Sequence, residues 1–468
     1  VVELWESYVK LDGLARGDGP AGETVRLRPG VDPVIVGIDG EPRDFGERER
    51  QTGITTRDIN KAGFEHYLLK EINEAPLSIR KTLRGKLLTG AGGTPRLELG
   101  EDIIPPALRG ILERRELRRI FVIGQGTAAI AGASFADAMN EWLAPANVAV
   151  FGLKATELSG FHLETIGPDC LIIAVSQSGT TTDTNRTVDL ARERGATVIG
   201  VVNRRNSDLA DKSDGVFYTS DGRDIEMSVA STKAFYCQVV AGYLLGMELA
   251  RRLGCLDEAA SGAFLAELAD LPRRMGEVLE NRDRVRGIAR AHAGRRVYWA
   301  VVGSGPGRRA AEEIRIKLSE LCYKSISADT IEDKKHIDLS AEALVFVCAA
   351  GLSGANAADA VKEIGIFKAH AGLPIVVCDR GETRFSASAA ATIEVPASSP
   401  RIALLLNTLA GHLFGYYAAL ALDEGSLALR RLRQVVEAAL VDTAVSMTVT
   451  GLIMLDYFFS GEMSTKFK

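Results

Sequence analysis

The sequence predicts an α/β protein built from two copies of a doubly wound unit. Three observations support this fold: strand-like and helix-like segments alternate, the strand-like runs are continuously apolar, and the same order of motifs occurs twice. Continuous Val/Ile-rich runs are typical of parallel strands buried on both faces of a sheet. In the first copy, strands are predicted over residues 119–123, 148–151, 170–175, 197–202 and 215–218, with a helix over 183–194.

The duplication rests on two pairs of glycine turns. Gly124 and Gly303 each open a Gly-x-Gly turn, 179 residues apart, and Gly179 and Gly354 each close a Ser-Gly turn, 175 residues apart. Apolar runs recur by chance in α/β proteins, but matching turns at matching places favour duplication. A helical stretch over 239–290 should join the copies. The predicted division is an N-terminal segment and linker (1–60), a first domain with entry helices (61–270), a second domain (271–435) and a C-terminal tail (436–468).

The regions outside the copies are less regular. A strand is predicted over 33–38 and a polar linker over 41–60, followed by helical spacing of apolar residues over 64–83. Pro76 is expected to split this last segment into two helices. The apolar stretch 445–460 contains Asp456 and indicates a core or interface element. The chain begins with Val1 rather than Met, which is compatible with a fragment or a processed product.

Composition excludes several classes of function. The net charge of −5 over 468 residues does not favour a nucleic-acid surface. No uninterrupted apolar run reaches about 18 residues, so no membrane span is expected. The six cysteines are scattered without a CxxC pair, which favours buried thiols in a reducing cytoplasm. No His, Cys and carboxylate cluster has metal-ligand spacing, so neither a metal nor another cofactor is expected.

The strongest local motif is the run from Ser176 to Asp183. It carries five hydroxyl residues in seven positions, after a predicted buried strand and at the start of a predicted helix. Hydroxyls and free N–H groups at a helix N-terminus bind phosphate, whereas the alternative, ordinary N-capping, needs only one hydroxyl. No Lys follows Gly179, so this is not a Walker loop. The two Gly-x-Gly turns lack the third glycine of a dinucleotide fingerprint.

A second candidate site combines Lys317, Glu320 and His336. Lys317 and Glu320 are three residues apart, so they lie on one face of a helix. A carboxylate beside an ammonium can move a proton next to a carbonyl, and an imidazole can move the proton of a ring oxygen. The alternative is a surface ion pair with an unrelated histidine, which the residues alone favour.

Four segments resemble one enzyme family. Residues 62–76 (AGFEHYLLKEINEAP), 176–184 (SQSGTTTDT), 226–235 (EMSVASTKAF) and 317–323 (KLSELCY) are similar to the isomerase half of the glutamine–fructose-6-phosphate aminotransferases, also called glucosamine-6-phosphate synthases. The resemblance covers about residues 60–422. It implies two tandem flavodoxin-like sugar isomerase (SIS) domains, each a five-stranded parallel sheet flanked by helices, usually in a homodimer.

The resemblance also implies roles for individual residues. Glu320 resembles the base that moves a proton between C1 and C2, Lys317 its helper, and His336 the ring-opening histidine that a neighbouring subunit often supplies. The residues that resemble ligands of the sugar phosphate are Thr127, Ser176, Gln177, Ser178, Thr181, Val229 through its backbone, and Ser231.

The chain departs from the family pattern at several places. Ala128 follows Thr127 where the family has Ser, and Ile337-Asp338 replace the Gly-Pro that follows the family's histidine. Residues 424–440 contain no counterpart of the tail lysine that forms an imine with the keto sugar; Arg433 and Gln434 lie nearest, and Arg stays protonated. The family's glutaminase half, with its N-terminal Cys, is not recognisable, and residues 1–45 are expected to be a remnant or a replacement.

These features predict an enzyme that converts fructose 6-phosphate into glucosamine 6-phosphate, with ammonia or a glutaminase domain or partner as nitrogen source. Two alternatives remain: a phosphosugar isomerase or deaminase that does not use glutamine, and a non-catalytic sugar-phosphate sensor. The missing tail lysine favours the sensor, and the set of Lys317, Glu320 and His336 argues against it. A homodimer in the cytoplasm, without nucleic acid or membrane partners, is expected.

Overall fold

The computed structural model describes residues 2–4, 9–11, 24–28, 31–37, 40–44, 60–90, 93–337 and 342–442. Near the N-terminus, β1 (Val2–Leu4) pairs with β2 (Val9–Leu11), and β3 (Thr24–Arg28), β4 (Val31–Val36) and β5 (Pro42–Arg43) form an antiparallel sheet. The strand predicted over 33–38 is therefore present, shifted by two residues. Most of the predicted linker and the apolar stretch 445–460 lie outside the described residues.

The segment before the first parallel sheet begins with one long helix, α1 (Tyr67–Leu83). The expected break at Pro76 is wrong, because Pro76 lies inside this continuous helix. A buried stripe that includes Leu68, Ile72 and Ile79 packs on later helices and compensates for the backbone hydrogen bond that proline cannot make. A hairpin of β6 (Leu87–Thr89) and β7 (Pro95–Leu97) and helix α2 (Pro106–Glu113) follow.

The first parallel sheet has five strands in the order β12-β11-β10-β8-β9. The strands are β8 (Arg119–Gly124), β9 (Ala149–Lys154), β10 (Cys170–Ser176), β11 (Thr197–Val202) and β12 (Gly215–Tyr218). The helices between them are α3 (Thr127–Leu143), α4 (Ala155–Glu157), α5 (Thr182–Arg192) and α6 (Asp208–Lys212). Every residue of β10 and β11 is buried, as the absence of alternation predicts.

Three helices then cross to the second sheet: α7 (Lys233–Arg252), α8 (Glu258–Glu280) and α9 (Arg282–His292). The predicted helical connection over 239–290 is thus present. The second sheet, in the order β14-β13-β15-β16-β17, repeats the parallel topology of the first. Its strands are β13 (Trp299–Gly303), β14 (Ile326–Asp329), β15 (Leu344–Cys348), β16 (Leu373–Asp379) and β17 (Ala391–Val395).

The second sheet is flanked by α10 (Pro306–Cys322), α11 (Lys334–Ile337), α12 (Gly354–Ala369) and α13 (Pro400–Asp442). Helix α10 packs against α13 and also reaches α3 of the first unit, so one apolar core runs through both units. The predicted α/β fold with two tandem five-stranded parallel sheets is confirmed. The domain boundaries stay a prediction. The predicted boundary after residue 270 lies inside α8, and the one after residue 435 lies inside α13.

The most apolar helix and most of the cysteines are buried inside the fold. Among the described residues, only Pro400–Val436 is long and apolar enough to cross a bilayer, but 94% of its most apolar window is buried inside the fold, as in core helices of soluble proteins. Five of the six cysteines are buried, and burial raises the pKa of the Cys237, Cys322 and Cys378 thiols to about 12. These thiols are therefore protonated at neutral pH.

Candidate functional site

The first sheet has a topological switch point between β8 and β10. These strands are neighbours, and the chain leaves β8 towards β9 on one side of the sheet and leaves β10 towards β11 on the other. Ligands of doubly wound proteins bind in the crevice at such a point, beyond the carboxyl ends of the strands. Thr127 follows β8, and the run from Ser176 to Thr181 follows β10, so both motifs flank this crevice.

The loop after β10 is held by its own hydroxyls. The Gly179 N–H donates to Ser176 Oγ at 3.0 Å, and Thr180 donates to Ser178 Oγ through its backbone at 3.3 Å and its hydroxyl at 3.0 Å. Asn185 of α5 donates to the carbonyl oxygens of Gly179 and Thr181 at 3.0 and 3.1 Å. The loop is thus fixed before any ligand arrives.

The N-terminus of α5 is left open towards this crevice. Thr181 is its N-cap residue but makes no side-chain capping hydrogen bond. Its hydroxyl lies 3.4 Å from Ser176 Oγ instead. Ordinary capping therefore does not account for the hydroxyls, and the first-turn N–H groups keep their capacity to bind an anion.

Gly179 is required by the shape of this loop. Its φ is +69°, and a Cβ atom at this position would lie 2.1 Å from Ser207 Oγ. Its carbonyl oxygen accepts the Leu209 N–H at 3.0 Å as well as the Asn185 amide. Close packing on the loop before α6 therefore sets the position of the hydroxyl loop.

The second sheet has the corresponding switch point, between β13 and β15, but not the same chemistry. Its loop over 349–354 contains one hydroxyl residue, Ser353, where the first loop has several. Pro306 begins α10 at the place that Thr127 occupies in α3. Of the two copies, the first therefore has the features of a phosphate site.

Helix α10 brings Lys317 from the second unit to the start of α3 in the first. Lys317 Nζ donates to Thr127 Oγ1 at 2.6 Å and lies 3.6 Å from Glu320 Oε2. Lys317 is 1% exposed, whereas the Glu320 side chain is 46% exposed. The pair differs from an ordinary surface ion pair at one end: the ammonium is buried at the contact between the two units, whereas the carboxylate faces outward.

Two buried residues that sequence reasoning missed complete this cluster. Glu313 Oε1 lies 3.2 Å from Lys317 Nζ and accepts the Thr127 hydroxyl at 3.2 Å. His412 of α13 faces the same oxygen at 3.5 Å. Glu313 lies one helical turn before Lys317, a spacing that could have indicated it, but no local signal connects Glu313 to His412.

A further loop, over 226–232, carries the exposed Val229. Glu226 holds one end, because its carboxylate accepts the Ser231 hydroxyl at 2.6 Å and the Thr232 N–H at 2.8 Å. Glu71 of α1 holds the other end, where it accepts the N–H groups of residues 227 and 228. Burial, and secondarily the nearby Glu226 charge, raises the pKa of Glu71 to about 8. Sequence analysis missed Glu71 and Glu226.

His336 lies apart from the cluster in this chain. It is exposed on α11, and in the described part of the chain no hydrogen bond or ion pair links it to Lys317 or Glu320. Gln177 remains in the hydroxyl loop, where its carbonyl oxygen accepts the Asn203 N–H at 3.3 Å. Across the described ranges, no group of three His, Cys, Asp or Glu residues is arranged to hold a metal ion.

Comparison with known proteins agrees with this geometry. Residues 115–247, which include the first sheet and the hydroxyl loop, match the model of the SIS domain family. This part of the chain is therefore similar to SIS domains. The second sheet lies outside the matched residues, but it repeats the topology of the first.

Curated relatives confirm the resemblance found from the motifs. The chain is 32% identical over 407 residues to a glutamine–fructose-6-phosphate aminotransferase [isomerizing] of Thermus thermophilus, and the match covers 86% of this chain and 63% of the relative. It is 31% identical over 367 residues to the protein of the same name from Leifsonia xyli, covering 77% and 57%. The chain thus spans about three fifths of the length of these relatives.

Solved structures share the fold. The C-terminal domain of glucosamine-fructose-6-phosphate aminotransferase from Francisella tularensis has a TM-score of 0.67 at 22% identity, covering 77% of this chain and 98% of that domain. Tagatose-6-phosphate ketose/aldose isomerase from Escherichia coli has a TM-score of 0.59 at 15% identity, covering 78% and 95%. At these identities the similarity supports the tandem architecture.

Proposed function

We propose that this chain converts fructose 6-phosphate into glucosamine 6-phosphate, as the isomerase part of a glutamine–fructose-6-phosphate aminotransferase. The observation that carries the proposal is the meeting of Lys317 and Glu320 of the second unit with the switch point of the first. The curated relatives support the choice of reaction. The division into domains at 61–270 and 271–435 belongs to the same proposal.

Substrate binding begins at the hydroxyl loop. The phosphate accepts hydrogen bonds from Ser176, Ser178, Thr181 and Gln177 and from the open first turn of α5. The sugar contacts the backbone at Val229 and the Ser231 hydroxyl. Hydrogen bonds to Glu71 and Glu226 hold the loop that carries these groups in place. Thr127 supports binding indirectly, since its hydroxyl hydrogen is directed to Glu313 and it accepts from Lys317.

The chemistry then proceeds in three steps. His336 donates a proton to the ring oxygen while the anomeric hydroxyl releases its proton to water, and the ring opens to the keto form. Ammonia and a proton add to the C2 carbonyl and water leaves, which gives a protonated imine. Glu320 removes a proton from C1 to form an enolamine and returns it to C2 while the C1 hydroxyl releases its proton, leaving an aldehyde at C1 and an amine at C2. Lys317 stabilises the negative charge that develops on the C1 oxygen.

The nitrogen source and the assembly are further parts of the proposal. Ammonia comes from solution or from a glutaminase domain or partner. Arg433 and Gln434 of α13 lie nearest to the place where the family's tail lysine is expected, and neither is an amine nucleophile, so the proposed imine forms with ammonia. A cytoplasmic homodimer lets a neighbouring subunit supply His336, which is exposed here.

A second function has its own support. The E. coli ketose/aldose isomerase shares the fold, and Glu320 can move a proton between C1 and C2 of a keto sugar without any amine. The test is product analysis after incubation with fructose 6-phosphate alone, with ammonium, or with glutamine. Glucosamine 6-phosphate with ammonium only supports the proposal. Glucose 6-phosphate under all three conditions supports the isomerase, and binding without product supports a sensor.

A further inference from the structure

A buried chain of polar groups extends behind the Lys317–Glu320 pair. His412 of α13 lies between Tyr236 of α7, with Nδ1 2.7 Å from the phenol oxygen, and Glu313 of α10, with Nε2 3.5 Å from Oε1. His412 and Glu313 are each at most 1% exposed, and Tyr236 is fully buried. Three helices therefore place a tyrosine, a histidine and a carboxylate in line with Lys317, in a region that no solvent reaches.

The neighbours of His412 indicate which nitrogen of the ring carries the proton. The phenol of Tyr236 has one hydrogen to donate, and Nδ1 of His412 is the acceptor beside it. A hydrogen on Nδ1 would face the phenol oxygen and leave Nε2, without one, against the carboxylate of Glu313. The neutral imidazole with its hydrogen on Nε2 accepts from Tyr236 through Nδ1 and directs that hydrogen towards Glu313 Oε1, which lies 3.5 Å away and beyond a formed hydrogen bond.

The charges around His412 agree with this state. The ionisable groups that face it are Glu313 and Lys317 of α10 and Tyr236 and Glu226 of the α7 region. Burial lowers the pKa of His412, so the ring is neutral. Burial opposes the ionisation of Glu313, but the Lys317 charge and the hydrogen bonds to the carboxylate outweigh it and hold its pKa below the usual range.

Glu313 depends on these donors through a single oxygen. Lys317, Thr127 and His412 all face Oε1, whereas Oε2 is buried and has no hydrogen-bond partner within the described part of the chain. A buried carboxylate that loses a donor finds no replacement in water. Any rotation of Glu313 would move the Lys317 ammonium, which lies 3.6 Å from Glu320.

We propose that His412 and Tyr236 are positioning residues: they orient Glu313, and Glu313 with Thr127 holds the Lys317 ammonium beside Glu320. The consequence for turnover rests on the proposed function, whereas the geometry of the buried chain does not. Among the described residues, no hydrogen bond or ion pair links His412 or Tyr236 to the hydroxyl loop, so their loss should reduce kcat and leave KM nearly unchanged.

The kinetic test compares His412→Leu with His412→Gln. A glutamine amide can accept from Tyr236 and donate to Glu313, whereas leucine can do neither. We expect His412→Leu to lower kcat at least about tenfold, with KM within about twofold, and His412→Gln to recover most of kcat, in line with the large effect of small misplacements. Equal loss in both variants, or wild-type kcat in His412→Leu, would overturn the proposal.

Tyr236→Phe tests the other end of the chain, and Tyr243→Phe is its control. Tyr243 is buried on the same helix, and its hydroxyl donates to the Arg401 carbonyl oxygen at 3.4 Å, away from His412. We expect Tyr236→Phe to lower kcat about threefold or more and Tyr243→Phe to keep it. A similar loss in both variants would indicate general damage to the core and would contradict the proposal.

An NMR measurement of the His412 tautomer tests this proposal independently of the proposed function. The ¹⁵N NMR spectrum of histidine-labelled protein, with the His412 signals assigned by their absence in His412→Gln, should show one neutral Nε2–H tautomer at neutral pH. In Tyr236→Phe, the Nε2–H tautomer should persist because Nε2 still faces Glu313, and the Nδ1 signal should shift because Nδ1 loses its hydrogen bond. If the chain turns over no sugar phosphate, this measurement alone decides: titration of His412 near pH 6.5, a dominant Nδ1–H tautomer in the wild type, or an unshifted Nδ1 signal in Tyr236→Phe overturns the inference.

Discussion

Lys335 of α11 donates to Glu363 Oε1 of α12 at 2.8 Å. Glu363 is 5% exposed, whereas Glu332, the other carboxylate near Lys335, is largely exposed. The residue directly before His336 is therefore attached to a buried group of the second unit. We expect the orientation of the exposed histidine to depend on this attachment, since α11 has only four residues.

Glu363→Gln should weaken this attachment and misplace His336. We expect kcat with fructose 6-phosphate to fall about fivefold or more, because small displacements of a proton-transfer group are costly. Steady-state kinetics measure the effect. Glu332→Gln is the matched control and should stay close to the wild type, because an exposed ion pair contributes little. Wild-type kcat in Glu363→Gln would mean that the ion pair does not position His336.

The hydroxyl loop should account for most of the affinity for the phosphate. The double variant Ser178→Ala with Thr181→Ala should bind sugar phosphates at least about tenfold more weakly, since hydrogen bonds to a charged group contribute about 1.5–3 kcal/mol each. Isothermal calorimetry with fructose 6-phosphate measures the affinity. Ser353→Ala, in the corresponding loop of the second sheet, is the control and should bind normally. Unchanged affinity in the double variant would contradict the assignment of the hydroxyl loop as the phosphate-binding site.

Gly179 should tolerate alanine poorly. A positive φ costs a residue with a Cβ about 1 kcal/mol, and the contact with Ser207 adds a steric cost. Gly254 has a similar φ of +72° but open space around it, so Gly254→Ala reports the backbone cost alone. Thermal unfolding should show a larger loss for Gly179→Ala than for Gly254→Ala, together with weaker phosphate binding. Equal losses would show that the packing on Ser207 is adaptable.

The sequence predicted the elements well because parallel strands buried on both faces leave a clear apolar signal. The runs predicted over 170–175 and 197–202 are strands that end within one residue of the prediction, and both copies have the predicted topology. The prediction failed at Pro76, because the local cost of proline was outweighed by the buried face of α1. Tertiary packing, which no local pattern reports, decided that case.

The candidate site was predictable only in part. Lys317 and Glu320 are close in sequence, so their proximity follows from helical spacing. Glu313 and His412 are 99 residues apart, and they meet because α10 packs on α13. A buried histidine has the same local sequence context whether it contacts a carboxylate or a leucine. Such a contact depends on helix packing and therefore requires the structure.

Glu71 should make stability depend on pH. It loses its proton near pH 4.5 when unfolded but near pH 8 in the fold, so between these values the folded chain binds the additional proton. Stability therefore falls as the pH rises through this window, by up to about 1.4 kcal/mol per pH unit, and levels off above pH 8. Glu71→Gln removes this titration and keeps an oxygen that accepts the backbone N–H groups.

Thermal unfolding at pH 5.5 and pH 8 measures this effect. The wild type should lose more stability between the two values than Glu71→Gln, by about 1 kcal/mol or more. Other titrating groups are common to both proteins and cancel in the comparison. Glu65→Gln, an exposed carboxylate just before α1, should behave as the wild type. If both Glu variants match the wild type at both pH values, Glu71 is ionised in the fold at pH 5.5.

Glu320→Gln tests the base directly. The amide keeps the shape and polarity of the side chain but cannot accept the C1 proton, so kcat should fall about a hundredfold or more while binding changes little. Glu312→Gln is the matched control, because Glu312 lies on the same helix and pairs with Arg309 on its surface. Calorimetry and product analysis on both variants separate binding from turnover. Because Lys317 holds its position through Glu313 and Thr127, it should remain in place in Glu320→Gln. A normal kcat in Glu320→Gln would therefore place the proton transfer on another residue, whereas loss of binding together with turnover would show that Glu320 holds the substrate instead.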